Sequence, residues 1–146
     1  MPEGPEVKLF IDNLNQNFRY YQIKTVEVLS GRYIKKPISN IKNLEGKEIK
    51  SFNCKGKFIW FDLDDIIVFN TLGMTGSWSK NKTYHSRIEI KFYENDPLYF
   101  NDIRNFGTFQ IKFMRAVFEC PIESAVRLVP AISKALKEVI EQNGAA

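Results

Sequence analysis

Apolar positions change period along this chain. Near the N-terminus Val7, Phe10, Ile11, Leu14 and Phe18 recur at helical spacing. Pro5 suits the first turn of that helix, where a missing N–H has no intrahelical partner to lose. From residue 23 to about 114 the pattern shortens to strands. The runs 25–29, 48–52, 58–63, 66–69, 87–93, 97–100 and 107–113 are rich in β-branched and aromatic side chains. Turn formers separate them: Glu45 with Gly46, Lys55 with Gly56, Asp64 with Asp65, and the stretch Glu94, Asn95, Asp96, Pro97. Short strands at this spacing predict an antiparallel sandwich or barrel. The helical pattern returns after Pro130, with Ile132, Leu136, Val139 and Ile140 in one apolar stripe and Gly144 as a stop. Residues 121–129 carry no assignable pattern. The expected class is α+β, mainly β, with a helix at each end.

Composition narrows the range. A chain of 146 residues with 44% hydrophobic and 14% aromatic content has the size and material for one packed domain and is not disordered. A net charge of +4 suits a polyanionic partner without requiring one. Cys54 and Cys120 form no C-x-x-C pair and His85 is the single histidine, which excludes a structural zinc site; no metal is expected. No apolar leader and no long apolar run is present, so the expectation is a soluble, intracellular protein with reduced thiols and no membrane partner.

Chemistry concentrates at the start, Met1-Pro2-Glu3-Gly4-Pro5-Glu6. A small second residue favours removal of Met1, which frees the secondary amine of Pro2. An α-amine has a reference pKa of roughly 7.7–8.0 against about 10.4 for lysine, so more of it is nucleophilic at neutral pH. Its adduct with a sugar C1′ is an iminium whose fixed charge draws electrons from the neighbouring C–O bond. Glu3 can protonate the opening sugar, and Glu6 lies about one helical turn away. A helix N-terminus favours their charged forms, so an acid role for Glu3 requires burial. Taken alone, the same residues are also an ordinary helix start.

Other segments resolve that ambiguity. Met1 to Glu6 resembles the opening of the Fpg/Nei family of bifunctional DNA glycosylases, and four later segments are similar to that family's landmarks in order. Asn53-Cys54-Lys55-Gly56-Lys57-Phe58 resembles the hairpin holding its essential lysine, here Lys57. Leu72-Gly73-Met74-Thr75-Gly76-Ser77 is similar to the loop with a void-filling methionine, here Met74. Tyr84-His85-Ser86-Arg87 resembles a phosphate-binding segment, with His85 and Arg87 as its ligands. Asn101-Asp102-Ile103-Arg104-Asn105-Phe106-Gly107 resembles the loop whose arginine and phenylalanine enter the duplex, here Arg104 and Phe106.

The resemblance implies an N-terminal helix on a two-layer antiparallel β-sandwich over residues 1–116, with a short helical tail over 117–146. It implies base excision through a Pro2 iminium followed by strand cleavage by β-elimination, with damaged DNA as partner and no cofactor. The residue chemistry agrees with those roles. Lysine is a compact charge for a phosphate, methionine fills irregular gaps, and an aromatic ring with a guanidinium can wedge apart a base step.

Departures from the family bear on that expectation. No segment resembles its helix–two-turn–helix motif or its zinc finger, and only 134–144 faintly resembles a late helix of that region. The expected consequences are a weaker grip on DNA, and self-association through the face that the helical domain would cover. Asn105 stands where family members often have a second arginine, and a retained Met1 would lock the Pro2 amine in a peptide bond. The alternative expectation is a non-catalytic module that binds DNA or its damage.

Overall fold

Helix α1 spans Gly4–Phe18 and turns one stripe, Val7, Ile11, Leu14 and Phe18, into the interior. Its opposite face carries Lys8 and Asp12, which form an ion pair one turn apart. The structure, a computed structural model, describes residues 4–94 and 96–114. Pro2, Glu3, the expected tail helix and the division after 116 lie outside the described residues. No described helix is long and apolar enough to cross a membrane.

Among the described residues eight strands follow: β1 (Ile23–Val28), β2 (Ser51–Lys55), β3 (Phe58–Asp62), β4 (Ile66–Thr71), β5 (Gly76–Ser79), β6 (Ser86–Phe92), β7 (Leu98–Asp102) and β8 (Thr108–Phe113). They make two antiparallel four-stranded sheets, ordered β1-β6-β7-β5 and β2-β3-β4-β8. Alternation places Ile59 and Phe61 of β3 and Val68 and Asn70 of β4 on the inner face. A chain of aromatic rings crosses the interior, from Phe52 to Phe61 (4.7 Å), Trp78 (5.2 Å) and Phe100 (5.0 Å). Strand spacing alone left sandwich and barrel open, the family resemblance implied a sandwich, and the two separate sheets are that sandwich.

The most deeply buried polar residue described lies between the two sheets. Asn70 is fully buried, accepts from Trp78 Nε1 at 2.9 Å and donates to the Thr108 carbonyl at 2.8 Å. Trp78 belongs to the first sheet and Asn70 to the second, so the pair joins the layers with its hydrogen bonds satisfied.

Strand positions differ from expectation where burial misleads. The run expected at 48–52 is a strand only from Ser51. Glu48 instead makes an isolated bridge with Gln22, and Lys50 N–H donates to Asp62 O. Ile49 and Phe52 are both buried, but they lie three residues apart, off the strand period. Strand β5, with two serines and a glycine among four residues, has little β propensity and forms through pairing with β7. The short helix α2 (Arg32–Lys35) and a 3-10 turn at Ile41–Leu44 had no periodic signature.

Candidate functional site

Strand register decides what meets at the site. In the second sheet Lys55 pairs with Phe58, Phe58 with Thr71, and Thr71 with Thr108. The connections at those ends are the Gly56–Lys57 turn, the loop carrying Met74, and the loop carrying Arg104 and Phe106. They lie side by side along one rim. In the first sheet Gly76 pairs with Asp102 and Ser86 with Asn101, which brings His85 and Arg87 to the same rim.

The first turn of helix α1 lies there too. Asn15 donates Nδ2 to Phe52 O and accepts from Phe52 N, both at 2.8 Å, docking the helix on the edge strand β2. At the helix start, a Cβ built on Gly4 would lie 3.8 Å from Gly56 Cα. Gly4, where α1 begins, therefore lies beside the Lys57 turn. Gly56 has φ 59 and is the only one of the two loop residues with positive φ, which fits a II′ hairpin with glycine first. Lys57 is half-buried there and engaged by a neighbour, and Glu6 is exposed in the first turn of α1.

The Met74 and Phe106 loops act as one unit. Asp102, 1% exposed, accepts from Thr75 Oγ1 at 2.5 Å and from Gly107 N at 2.7 Å. Thr75 Oγ1 in turn accepts from Arg104 N at 2.8 Å. Gly73 adopts φ 61, and a Cβ there would meet Gly107 N and Phe106 C at 2.9 Å, so only glycine allows the loops to touch. Buried below, the loops are apolar above. Met74 (46% exposed), Ile103 (62%) and Phe106 (57%) project into solvent together. Large apolar side chains held out on polar-bonded loops mark a contact surface. Arg104 is exposed beside them, and no described residue bonds its side chain.

His85 and Arg87 occupy different positions on this rim. Arg87 donates Nε to Asp102 O (2.9 Å), one terminal nitrogen to Ser30 Oγ (3.0 Å) and the other to Ile103 O (3.3 Å). Its guanidinium is a strut beneath the loop, with three of five N–H groups committed. The His85 ring packs edge-on against exposed Tyr84, and its buried Nδ1 has no partner among the described residues. Cys54, on β2 beneath α1, is a free thiol held above its ordinary value chiefly by burial. Among the described residues no three of His, Cys, Asp or Glu cluster as metal ligands would.

Three contributors had no signal in the sequence reading. Asp102 and Thr75 were read only as part of a loop motif, and Asn15 only as a polar residue on a helix. Ile103 was legible in principle, as an apolar residue beside Arg104 off the strand pattern.

A helix laid on a two-sheet sandwich gathers its own start and paired apolar loops on one rim. The chain belongs to the family described as the formamidopyrimidine-DNA glycosylase N-terminal domain, whose model matches residues 1–109. Formamidopyrimidine-DNA glycosylase of Oceanobacillus iheyensis is 31% identical over 119 residues, 76% of this chain and 42% of that protein. That of Exiguobacterium sp. is 27% identical across 97% of this chain and 54% of its own length. Among solved structures, MutM in complex with carbocyclic 8-oxo-G containing DNA superposes with TM-score 0.70 at 26% identity, over 80% of this chain and 47% of that one. MutM (Fpg) of Thermus thermophilus superposes at 0.67 with 29% identity, over 77% and 41%. The chain spans about half the length of the relatives it matches.

Proposed function

We propose that this chain carries the catalytic half of a bifunctional DNA glycosylase and abasic-site lyase of base excision repair, working without metal or cofactor. One observation carries the reading: the start of α1 at Gly4, the Lys57 turn and the Met74 and Phe106 loops lie on one rim. Family membership supports it, and relatives of the same fold include Lactococcus lactis Fpg in complex with abasic-site DNA.

In this reading the apolar loops enter the duplex. Phe106 unstacks a base step, while Arg104 and Met74 fill the space left when the damaged nucleotide is extruded. Extrusion exposes C1′ to the Pro2 amine. The nitrogen lone pair attacks C1′, the C1′–N glycosidic bond breaks, and the base leaves with that electron pair. Opening of the C1′–O4′ bond, with a proton supplied to O4′ by Glu3, and loss of the amine proton yield the iminium. Loss of a C2′ proton then expels the 3′ phosphate. Glu6 assists proton traffic, Lys57 neutralises the adjacent phosphate, and His85 and the two uncommitted N–H groups of Arg87 add phosphate contacts.

Borohydride trapping on abasic-site DNA tests this, with mass spectrometry confirming that Met1 has been removed. A covalent band is expected, strongly reduced in Pro2→Gly, whose primary amine cannot form the fixed-charge iminium of a secondary amine, with Glu3→Gln slowing the reaction. No band from folded protein lacking Met1 would leave a DNA-binding module in place of an enzyme.

A further inference from the structure

We infer that α2 and the neighbouring strand β8 form a second phosphate-binding patch, which grips duplex DNA flanking the wedge loops. The inference rests on the DNA-binding reading above and adds residues that none of its landmarks includes. Arg32, Lys35, Lys36 and Lys112 are exposed here, and none forms an ion pair with a described residue. A hollow beside α2 is lined by Arg32, Tyr33, Ser39, Gln110 and Lys112 among others, with no carboxylate in its wall.

The patch is built onto the wedge rather than merely near it. Tyr33 Oη accepts from Phe109 N at 2.9 Å, fastening α2 to β8 just past the Phe106 loop. The Arg32 guanidinium lies 4.9 Å over the Tyr33 ring, which orients it. At the start of α2, Gly31 adopts φ 88, and a Cβ there would fall 2.7 Å from Asn105 Oδ1 and 3.0 Å from Arg87 Cδ. Only glycine lets Asn105, itself at φ 60, seat between Arg104 and Phe106 against the α2 junction. Arg87 closes the link, bonding Ser30 on one side and Ile103 on the other.

A wedge that enters a duplex leaves the flanking backbone running past it, and an acid-free cluster of cations rigidly beside the wedge meets that backbone. Each phosphate contact releases about 0.9 counterion on B-DNA, so such contacts raise affinity without regard to sequence. The competing explanation is that these lysines only solvate the surface and guard the edge strand β8.

The two explanations separate in the salt dependence of binding by the full chain to an abasic-site duplex. Lys35→Gln/Lys36→Gln is compared with the charge-matched control Lys24→Gln/Lys91→Gln, at the other end of the β1–β6 pair. The patch double variant is expected to lower the slope of log affinity against log salt by about 2, while the control leaves it unchanged. Between roughly 50 and 200 mM salt that makes the loss of affinity about 16-fold smaller. Equal slopes for both variants, with wild type binding normally, would overturn the patch and leave the enzyme reading standing. Wild type that binds no DNA at any salt would overturn both.

Discussion

Asp102 shows how one buried side chain can set the shape of an exposed surface. Its two carboxylate oxygens hold the Thr75 hydroxyl and the Gly107 amide, and so the two loops that present Met74 and Phe106. Asp102→Ala leaves the buried Gly107 N–H without an acceptor, at a cost of about 1–3 kcal/mol. The expected outcome is a lower denaturation midpoint together with loss of DNA binding. Asp102→Asn keeps an acceptor for Gly107 and falls between the two. An Asp102→Ala protein with wild-type affinity for abasic-site DNA would show that loop geometry does not matter to binding.

At the scale of elements, the docking of α1 determines where the chemistry can happen. Asn15 imitates a neighbouring strand, offering one donor and one acceptor to Phe52 on the edge of the second sheet. Without it, α1 keeps its apolar stripe but loses the contact that sets its position along β2. Asn15→Ala is expected to lower stability by about 1–2 kcal/mol in urea unfolding, with an unchanged m-value. Borohydride trapping should fall by more than the folded fraction does, because the chain start moves relative to Lys57. A trapping yield that simply follows the folded fraction would mean that α1 is positioned by packing alone.

For the whole molecule, the clearest titration is at alkaline pH. Tyr99 is 6% exposed and donates to Glu89 Oε2 at 2.9 Å. Burial first, and then the hydrogen bond and charge of Glu89, hold its phenol above the ordinary value. Lys91, 3.8 Å from Glu89, is the cation facing this pair. A folded value raised above the unfolded one, near 10, means stability that is complete below about pH 10 and lost as pH climbs through the folded value. The difference in unfolding free energy between wild type and Tyr99→Phe should therefore shrink from pH 9 to pH 11. A difference that is constant across that window would remove Tyr99 as its cause.

Much of this protein is legible along the chain, because period and turn chemistry are local. The stripe from Val7 to Phe18 made a helix, and Asp64 with Asp65 turned β3 into β4 as their residue types demanded. The residues proposed to act are another matter. Pro2, Glu3, Glu6, Lys57, Met74, Arg104 and Phe106 are singled out by the family landmarks they resemble, since type and spacing alone also fit an ordinary helix start, hairpin and loops. The family match covers residues 1–109. What the chain alone did not determine is which distant groups meet. Strand β5 exists because β7 offers it a ladder, and Ile49 is buried without being in a strand. Arg87, read as a phosphate ligand, spends three donors beneath a loop far from it in sequence, and Asp102, read as part of a motif, joins two loops. Local sequence encodes backbone preference and the order of apolar positions. Pairing partners, and the hydrogen bonds a buried group must find, come into being only when the sheets close on one another.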